Sequence, residues 1–553
     1  MTTTTLAKSE PSTTNKRSVL LVFAGLMVAM LLASLDQTIF STALPTIVGQ
    51  LDGVSHMLWV TTAYILASTI VMPVYGKLGD LVGRKWLFIA AIALFLVGSV
   101  VGGTADSMTS LIVGRAIQGL GGGGLMILAQ AIIADVVPAR ERGKYSGIMG
   151  AVFAVSSVAG PLLGGFFTDG PGWRWAFWMN LPLGALAIVS AVFFLRLPKN
   201  TNGKPKIDFA GMSVLAIAAT CLVLFTTWGG DTYAWNSPMI IGLIGGTVVA
   251  AIVFVMIERR AAEPVIPLQL FRNRNFNLTT AAGLITGVAM FGALAYMPTY
   301  LQMVTGVGAT QAGFLMIPMM GGLLVASIAS GQFVSRTGRY KFIPVIGTAV
   351  VAVGLALLST LTATSAVWII CVFLGIMGIG LGMTMQILIL VVQNSFPVRM
   401  VGTATASNNF FRQIGSSLGA AIVGSLFVSR LTANLSTNLP TGATGTGGTN
   451  SLTPAVVDGL PAAIRTVIVS AYNEALAPIF LYLVPLVLVA VVLLLFVKEV
   501  PLATKIDRTD ADGTTTETTP IATASGVIEP ETVLGDGVVG TDVLDEDGRL
   551  LVR

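Results

Sequence analysis

Runs of about 20 predominantly apolar residues recur along this chain from residue 19 to residue 497. At ~1.5 Å per helical residue, each run can cross the ~30 Å hydrocarbon core of a bilayer. Hydrophobic residues make up 54% of the chain and charged residues only 10%, whereas soluble domains carry about 25% charged residues. The pattern therefore predicts an all-α membrane protein. The fourteen predicted spans cover residues 19–43, 57–76, 86–104, 108–134, 144–168, 174–196, 209–228, 238–257, 277–302, 311–334, 342–361, 366–393, 401–429 and 475–497.

The loop charges predict the orientation of these spans. Short cytoplasmic loops of membrane proteins carry an excess of Lys and Arg, and every even-numbered span here exits into a basic segment, such as Arg140 to Lys144. The odd-numbered exits carry Asp52, Asp106, Asp169 and Asp231 with little basic charge. We therefore expect a multi-pass protein of the cytoplasmic membrane with both termini in the cytoplasm.

Three polar segments flank or interrupt the spans. We expect residues 1–17 to form a cytoplasmic lead and residues 430–473, which are rich in Thr, Gly, Asn and Ser, to form a long external loop. Residues 501–553 hold 11 acidic and 4 basic residues, so we expect 499–553 to be a disordered acidic tail. The net charge of +5 is carried by the loops, so it reports orientation and not nucleic-acid binding.

The sequence contains few of the residues that form catalytic or metal-binding sites. The single His and the two cysteines, Cys221 and Cys371, are far apart along the chain. The run GLGGGG at 119–124 matches a dinucleotide-binding pattern, but no strand precedes it and it lies inside a span. We therefore expect neither enzymatic activity nor a cofactor nor a metal.

An internal repeat relates the two ends of the hydrophobic region. Gly76, Gly83 and Arg84 recur as Gly331, Gly338 and Arg339 at an offset of 255 residues, and a second set of matches recurs at an offset of 259. Both copies follow even-numbered spans, so the repeat is parallel, with a pseudo-two-fold axis along the membrane normal. The predicted units are a six-helix bundle at 18–198, two extra helices at 199–262, and a second six-helix bundle at 263–498.

Four stretches give the chain a resemblance to a known family. They are LDQTIFSTALP at 35–45, GKLGDLVGRK at 76–85, RAIQGLGGGG at 115–124 and AGPLLGG at 159–165. Over residues 18–498 the chain resembles the major facilitator superfamily, and within it the fourteen-spanner drug:proton antiporters. The resemblance implies the major facilitator fold and proton-coupled export by alternating access.

The repeated loop after spans two and ten has a role implied by this resemblance. Asp80 and Arg84 would hold the two halves together at the cytoplasmic face, while Gly76 and Gly83 permit close backbone approach. Ser335 stands where Asp80 stands in the first copy, so the charge is not duplicated. A solvated loop is the alternative. The residues of this predicted gate are Gly76, Asp80, Gly83, Arg84, Gly331, Gly338 and Arg339.

The AGPLLGG stretch resembles the signature that separates exporters from importers in this superfamily. Gly160, Pro161, Gly164 and Gly165 would let helices pack closely and would weaken the local hydrogen-bond ladder. Pure packing and a functional bend both remain open interpretations.

Asp36 is a carboxylate inside an otherwise apolar span, where an ionised group costs ~2.5–3.5 kcal/mol on insertion scales. At ~1.5 Å per residue, it lies about 12 Å below the outer end of its span, and Arg115 lies about 10 Å below the same face. One interpretation is a static ion pair between them. The preferred one is that Asp36 alternately holds a proton and a cationic substrate while Arg115 tunes its acidity.

Polar and aromatic residues within the spans are candidates for a substrate cavity, although each is also suited to helix packing. Asp135 and Glu474 lie at span ends, where snorkelling to water explains them. With Asp36, the candidate lining residues are Trp59, Tyr64, Gln118, Gln130, Asn180, Phe291, Tyr296, Gln386, Asn408 and Arg412.

Proton-coupled export of lipophilic, cationic drugs or toxic compounds is the function that these features favour. The expected partners are protons, a small lipophilic substrate and membrane lipid, with a monomeric chain and no nucleic acid. Export of an endogenous lipid or metabolite is the main alternative. A membrane sensor or scaffold would use the tail or the 430–473 loop, but it would not explain the repeated loop.

Overall fold

The structure of the chain is a computed structural model that describes residues 16–51, 56–195, 197, 206–230, 232–438, 457, 460–504, 506–509 and 515–518. Each predicted span coincides with helical structure. Among the described residues, thirteen apolar helical segments of at least 18 residues are long enough to cross a membrane, and Phe342–Leu358 adds a shorter one of 17 residues. The fold class predicted from the sequence is therefore confirmed.

The helices follow one another in a simple order along the chain. They are α1 (Lys16–Gln50), α2 (Met57–Val82), α3 (Arg84–Gly103), α4 (Met108–Val136), α5 (Ala139–Asp169), α6 (Trp175–Trp178), α7 (Asn180–Phe194), α8 (Phe209–Trp228), α9 (Pro238–Glu258), α10 (Arg274–Leu294), α11 (Met297–Thr305), α12 (Ala309–Leu315), α13 (Ile317–Thr337), α14 (Phe342–Leu358), α15 (Val367–Asn394), α16 (Val398–Asn438) and α17 (Ala462–Leu495), with a 3₁₀ helix at Leu268–Arg272 before α10.

Three predicted spans are each divided into two helices. The sixth divides at Met179, between α6 and α7, and the ninth and tenth divide between α10 and α11 and between α12 and α13. Pro298 and Pro318 occupy the first turns of α11 and α13. Because proline lacks an N–H and its ring clashes with the preceding turn, a new helix begins there instead of continuing the old one.

The two halves of the chain pack by the same plan. In the N-terminal half (α1–α7), α2 and α3 lie against α4, and α1 lies against α5 and α7. In the C-terminal half (α10–α17), α13 and α14 lie against α15, and α10 lies against α16 and α17. The halves meet where α2 contacts α16 and α5 contacts α13. These contacts exchange under the repeat, as a pseudo-two-fold axis requires.

The linker helices α8 and α9 pack on each other, and α8 contacts α2 and α16. The segment after α9 contacts the N-terminal half, where Glu263 Oε2 forms a salt bridge with Lys77 Nζ at 2.5 Å. Glu258, at the end of α9, accepts hydrogen bonds from the backbone N–H groups of Val265 and Ile266 at 3.1 and 3.3 Å. These contacts fix the linker beside the α2–α16 contact between the halves.

Two predicted segments have different limits in the structure. The 430–473 loop is shorter than predicted, because α16 continues to Asn438 and α17 begins at Ala462. At the C-terminus, residues 498–504 lie against the helices, and Ile506–Thr509 pairs with Thr515–Thr518 as two antiparallel strands. The disordered tail predicted from residue 499 therefore begins too early. Most of the 1–17 lead and residues 519–553 lie outside the described residues.

Candidate functional site

A central cavity lies between the two halves. Its walls come from α1, α2, α4 and α5 of the N-terminal half and from α10, α13, α15 and α16 of the C-terminal half. The cavity measures about 100 Å³, whereas sites for drug-sized ligands measure roughly 300–1,000 Å³. A substrate of that size therefore requires the halves to move apart. Methionine is prominent in the walls, which include Met30, Met72, Met126, Met149, Met290 and Met385.

Half of the predicted lining residues other than Asp36 face this cavity. Tyr64 and Gln130 reach it from the N-terminal half, and Phe291, Gln386 and Arg412 reach it from the C-terminal half. They place aromatic, amide and guanidinium groups around one apolar space. The other six predicted residues do not lie on the cavity wall. The predicted set is therefore corrected by removing Asp36, Trp59, Gln118, Asn180, Tyr296 and Asn408.

Neighbouring helices hold the side chains that do not face the cavity. The Trp59 ring packs edge-on against Trp228 of α8 at 5.7 Å, and Tyr296 Oη donates to the backbone oxygen of Ala420 at 3.2 Å. Asn408 Nδ2 donates to Thr280 Oγ1 at 3.1 Å. The sequence shows that these residues are polar or aromatic within spans. It does not show which way they face, because buried transmembrane helices are apolar on all sides.

Asp36 is the centre of a buried polar cluster inside the N-terminal half. Its side chain is fully buried and pairs with Arg115, whose Nη1 donates to Asp36 Oδ2. Gln118 Nε2 and Asn180 Nδ2 donate to Asp36 Oδ1 at 3.0 and 3.1 Å. Both amides also donate to Ser99 Oγ, at 2.8 and 3.1 Å. We call these five residues the Asp36 cluster; it joins α1, α3, α4 and α7.

The Asp36 cluster lies beside the cavity and shares elements with its wall. The Arg115 guanidinium lies between the rings of Phe40 and Tyr64, at 4.3 and 4.5 Å from their centroids. Tyr64 also lines the cavity, and so do Ser34 and Gln37, which flank Asp36 on α1. A change of charge in the cluster can therefore reach the cavity through α1 and Tyr64.

Asp80 links the two halves at the end of the helices that carries the basic loops, here called the basic end. Its Oδ1 accepts a bond from the Gly402 N–H at 3.1 Å, and its Oδ2 accepts bonds from the Thr403 N–H and Oγ1, both at 2.7 Å. Arg84 Nη2 donates to Asp80 Oδ1 at 2.6 Å and to the backbone oxygen of Val398 at 3.2 Å. Asp80 and Arg84 on one half thus hold the start of α16 on the other.

Arg84 has a second acidic partner that is not among the predicted pairs. Its Nη1 donates to Asp135 Oδ1 at 2.5 Å and to the backbone oxygen of Ala131 at 2.6 Å. Asp135 is mostly buried, so the snorkelling interpretation is wrong for it. Only its position in the sequence indicates that Asp135 lies near Arg84. Because α3 and α4 are consecutive and antiparallel, the start of α3, with Arg84, lies near the end of α4, with Asp135.

The C-terminal half repeats this contact without the charge. Ser335 Oγ accepts a hydrogen bond from the Lys144 N–H at 3.0 Å. In the repeat, Ser335 corresponds to Asp80 and Lys144 to Thr403, so this bond is equivalent to the one from the Thr403 N–H to Asp80. A Cβ at Gly331 would collide with the backbone oxygen of Gly143, so α13 and α5 meet at backbone distance. The Arg339 side chain is exposed, unlike Arg84.

The paired glycines of the two loops serve different purposes. A Cβ at Gly76 would lie 2.7 Å from the backbone oxygen of Gly402, so this glycine permits the close approach that the sequence predicted. A Cβ at Gly83 would have no neighbouring atom within 4 Å, which corrects the same prediction for it. Gly83 and Gly338 instead have φ values of 98° and 72°, which residues other than glycine rarely adopt.

The glycines of the predicted exporter motif also divide into two kinds. A Cβ at Gly160 would collide with Thr38 Oγ1, and one at Gly164 would lie 2.5 Å from the backbone oxygen of Ile39. A Cβ at Gly165 would have no neighbouring atom within 4 Å. Thr42 Oγ1 donates to the backbone oxygen of Pro161 at 3.3 Å. The motif therefore brings α5 against α1 immediately beyond Asp36.

A polar chain crosses from α4 to the C-terminal half near the cavity. Asn409 Nδ2 donates to Gln130 Oε1 at 3.0 Å, and Gln393 Nε2 donates to the backbone oxygen of Gln130 at 3.3 Å. Arg412 Nη2 donates to Asn409 Oδ1 at 2.7 Å. The sequence does not predict these roles for Asn409 and Gln393, because an isolated amide within a span gives no indication of its partner.

Comparison with known proteins identifies the family. The family model of the Major Facilitator Superfamily matches residues 26–420. An uncharacterized MFS-type transporter of Mycobacterium tuberculosis (strain ATCC 25618 / H37Rv) is 42% identical over 491 residues, which cover 89% of this chain and 71% of that protein. The multidrug transporter protein MdtP of Bacillus subtilis (strain 168) is 38% identical over 416 residues, which cover 75% of this chain and 76% of that protein.

A solved structure supports the same fold. The crystal structure of the human organic anion transporter MFSD10 (TETRAN) superimposes with a TM-score of 0.54 at 15% sequence identity, covering 87% of this chain and 99% of that one. At this identity the likeness shows the fold alone. Together with the family match and the two transporters, the helical plan leads to one conclusion: this chain is a non-enzymatic membrane transporter that belongs to the major facilitator superfamily.

Proposed function

We propose that this transporter exports lipophilic compounds by proton-coupled antiport across the cytoplasmic membrane, with its basic end in the cytoplasm. The buried Asp36 cluster is the observation that carries the proposal. Asp36 is a fully buried carboxylate that does not line the cavity. The residues beside it on α1, Ser34 and Gln37, do line the cavity. The multidrug transporter name of a 38% identical relative supports the transport of drug-like compounds.

Proton and substrate occupy separate places in this proposal. Asp36 does not line the cavity, so it does not exchange a proton for substrate at one point. When Asp36 takes up a proton, the acceptors left to Arg115 among the described residues are neutral, such as Gln118 Oε1 at 3.0 Å. An uncompensated buried charge costs several kcal/mol. Protonation therefore favours a different arrangement of α1 and α4, and the cavity changes with them.

Asp36→Asn is the substitution that tests the coupling. It keeps the size of the side chain but removes the titrating group, so we expect gradient-driven efflux to fall to the background rate. Breaking the pair also leaves Arg115 unpaired and costs about 3–5 kcal/mol of stability. Dye transport is measured in proteoliposomes across a series of imposed pH gradients, with cationic, anionic and neutral lipophilic dyes and with the amount of reconstituted protein determined.

A double variant separates coupling from folding. Asp36→Asn with Arg115→Gln leaves no unpaired buried charge, so it should recover most of the lost thermal stability but none of the response to the pH gradient. Asp36→Glu retains a carboxylate and should keep partial activity with a changed pH optimum. Wild-type, gradient-dependent efflux by the double variant would refute the proposal and leave Asp36 and Arg115 as a static pair.

A further inference from the structure

Arg412 differs from every other residue that lines the central cavity. Among the described lining residues it is the one with a charged side chain, and none is an aspartate or a glutamate. Its Nη2 donates to the neutral Oδ1 of Asn409 at 2.7 Å, whereas Arg115 and Arg84 each pair with a carboxylate. The cavity therefore contains a positive charge that no acidic side chain of its wall balances.

Two buried carboxylates of the N-terminal half already pair with other cations. Asp36 pairs with Arg115 inside the N-terminal half, and Asp80 pairs with Arg84 at the basic end. A guanidinium in apolar surroundings is costly unless it has a partner, and a lipophilic cation in the same cavity would add repulsion. A substrate with a carboxylate or sulfonate would instead supply the missing partner, and guanidinium groups bind such anions through paired N–H donors.

A second polar group points to the same kind of ligand. Ser34 is 2% exposed and lines the cavity from α1, and its Oγ has no hydrogen-bond partner among the described residues. A buried hydroxyl without a partner costs about 1–3 kcal/mol, so it is suited to donate its proton to an acceptor that arrives with the substrate. Ser34 and Arg412 belong to opposite halves, so an acidic substrate can engage donors on both.

The rest of the wall suits a lipophilic body. The six methionines named above and Phe291 provide flexible, polarisable and aromatic surface, which accommodates varied shapes. We propose that the cavity selects lipophilic organic anions, with Arg412 as the charged anchor and Ser34 as a second donor. This inference rests on the proposed export function and names its substrate class. It replaces the cationic substrate expected from Asp36, because Asp36 lies outside the cavity.

Two dyes built on one xanthene scaffold test the charge preference. One is an anionic fluorescein derivative and the other a cationic rhodamine of similar size, each supplied to proteoliposomes under the same imposed pH gradient. We expect the wild type to transport the anionic dye faster. Arg412→Gln should lower transport of the anionic dye by about tenfold or more, since it removes a hydrogen bond to a charged group, and should leave the cationic dye equal or faster.

Arg412→Lys serves as the matched control, because it keeps the charge while changing the geometry. It should retain a large part of anionic dye transport, whereas a purely structural role for Arg412 would make Lys and Gln equally harmful. Ser34→Ala should weaken anionic dye transport by a few-fold. Faster cationic transport by the wild type, or an equal loss of both dyes in Arg412→Gln, would overturn the inference. Transport of neither dye at any pH gradient would instead contradict the proposed export function itself.

Discussion

At the scale of single residues, one carboxylate accounts for much of the contact between the halves. Asp80 accepts three hydrogen bonds from Gly402 and Thr403 and pairs with Arg84. Hydrogen bonds to charged groups contribute about 1.5–3 kcal/mol each. The equivalent contact in the other half has a neutral serine, Ser335. The repeat therefore supplies one strong and one weak version of the same bond.

We expect Asp80→Asn to favour opening at the basic end. The amide keeps the size of the side chain but loses the charge and one of the two acceptor atoms. The measurement is the labelling rate of Ser68→Cys, a cavity residue, by a membrane-impermeant maleimide supplied at the basic end, in a background with Cys221→Ala and Cys371→Ala. The rate should rise about tenfold, in line with the loss of about one charge-assisted bond.

Ser335→Ala is the control for this prediction. It removes the repeat-related bond, whose acceptor is neutral, so the labelling rate should change by less than in Asp80→Asn. Substrate affinity should be largely unaffected in both variants, since neither residue lines the cavity. Equal labelling rates in Asp80→Asn and the parent protein would contradict the role of Asp80 in closing this end.

The sequence could predict one pair in the Asp36 cluster but not the other members. The fixed rise of a helix gives the depth of each residue, and Asp36 and Arg115 have matching depths and opposite charges. The sequence predicts Gln118 and Asn180 as cavity residues instead, because depth does not reveal the direction of a side chain. Nothing in the sequence indicates a role for Ser99, since a serine within a span is as common in packing as in a polar cluster.

At the scale of helices, glycine positions decide how closely two elements approach. Gly143 and Gly331 bring α5 and α13 together, and Gly76 brings α2 to α16. The repeat in the sequence predicted which glycines are equivalent. It could not predict their different uses, because a glycine at a helix contact and a glycine at positive φ look the same in one sequence. Hydropathy likewise did not predict that spans nine and ten each divide into two helices at a proline. It measures the length of an apolar segment and not whether the helix is continuous.

We expect Gly164→Ala to disturb the packing of α5 against α1. The new methyl group would lie 2.5 Å from the backbone oxygen of Ile39, and overpacking of this kind costs about 1–3 kcal/mol. The variant should unfold at a lower temperature and transport dye more slowly, because α1 carries Asp36. Thermal unfolding in detergent and gradient-driven dye transport measure the two effects.

The adjacent glycine provides the control. Gly165 has no atom within 4 Å of the position of a Cβ, so Gly165→Ala should change stability by less than about 0.5 kcal/mol, as surface substitutions do. If the two variants have the same unfolding temperature and transport rate, close packing is not what the AGPLLGG stretch provides.

At the scale of the whole molecule, most of the described hydrogen bonds between the halves lie at the basic end. Asp80 holds α16, Ser335 holds the start of α5, and Arg140 Nη2 donates to the backbone oxygen of Arg336 at 3.2 Å. In the proposed export cycle, alternating access would require these bonds to break and re-form. The pseudo-two-fold plan was predictable from the repeated residues. The contribution of the chain end was not, because its composition alone suggests disorder.

Residues 498–504, here called the C-terminal strap, add to this contact. Val500 N–H donates to Tyr340 Oη at 2.7 Å, and Glu499 Oε1 accepts a bond from the Tyr340 N–H at 2.7 Å, both in the C-terminal half. The backbone oxygen of Ala503 accepts a bond from the Arg140 N–H of the N-terminal half at 3.1 Å. The strap therefore spans both halves at the end where they meet.

Two truncations should separate the strap from the acidic residues beyond it. A chain ending at Thr504 keeps every strap contact, so its dye transport and thermal stability should match the full chain. A chain ending at Val497 loses the bonds to Tyr340 and Arg140, and it loses the burial of Leu502, which is 8% exposed. We therefore expect it to be less stable, and Ser68→Cys to be labelled more readily from the basic end. The substitution Glu499→Gln should produce a smaller change of the same sign, since the amide still accepts one backbone bond. If truncation at Val497 behaves like truncation at Thr504, the strap makes no contribution to closing the halves, and the whole chain beyond α17 is dispensable for transport.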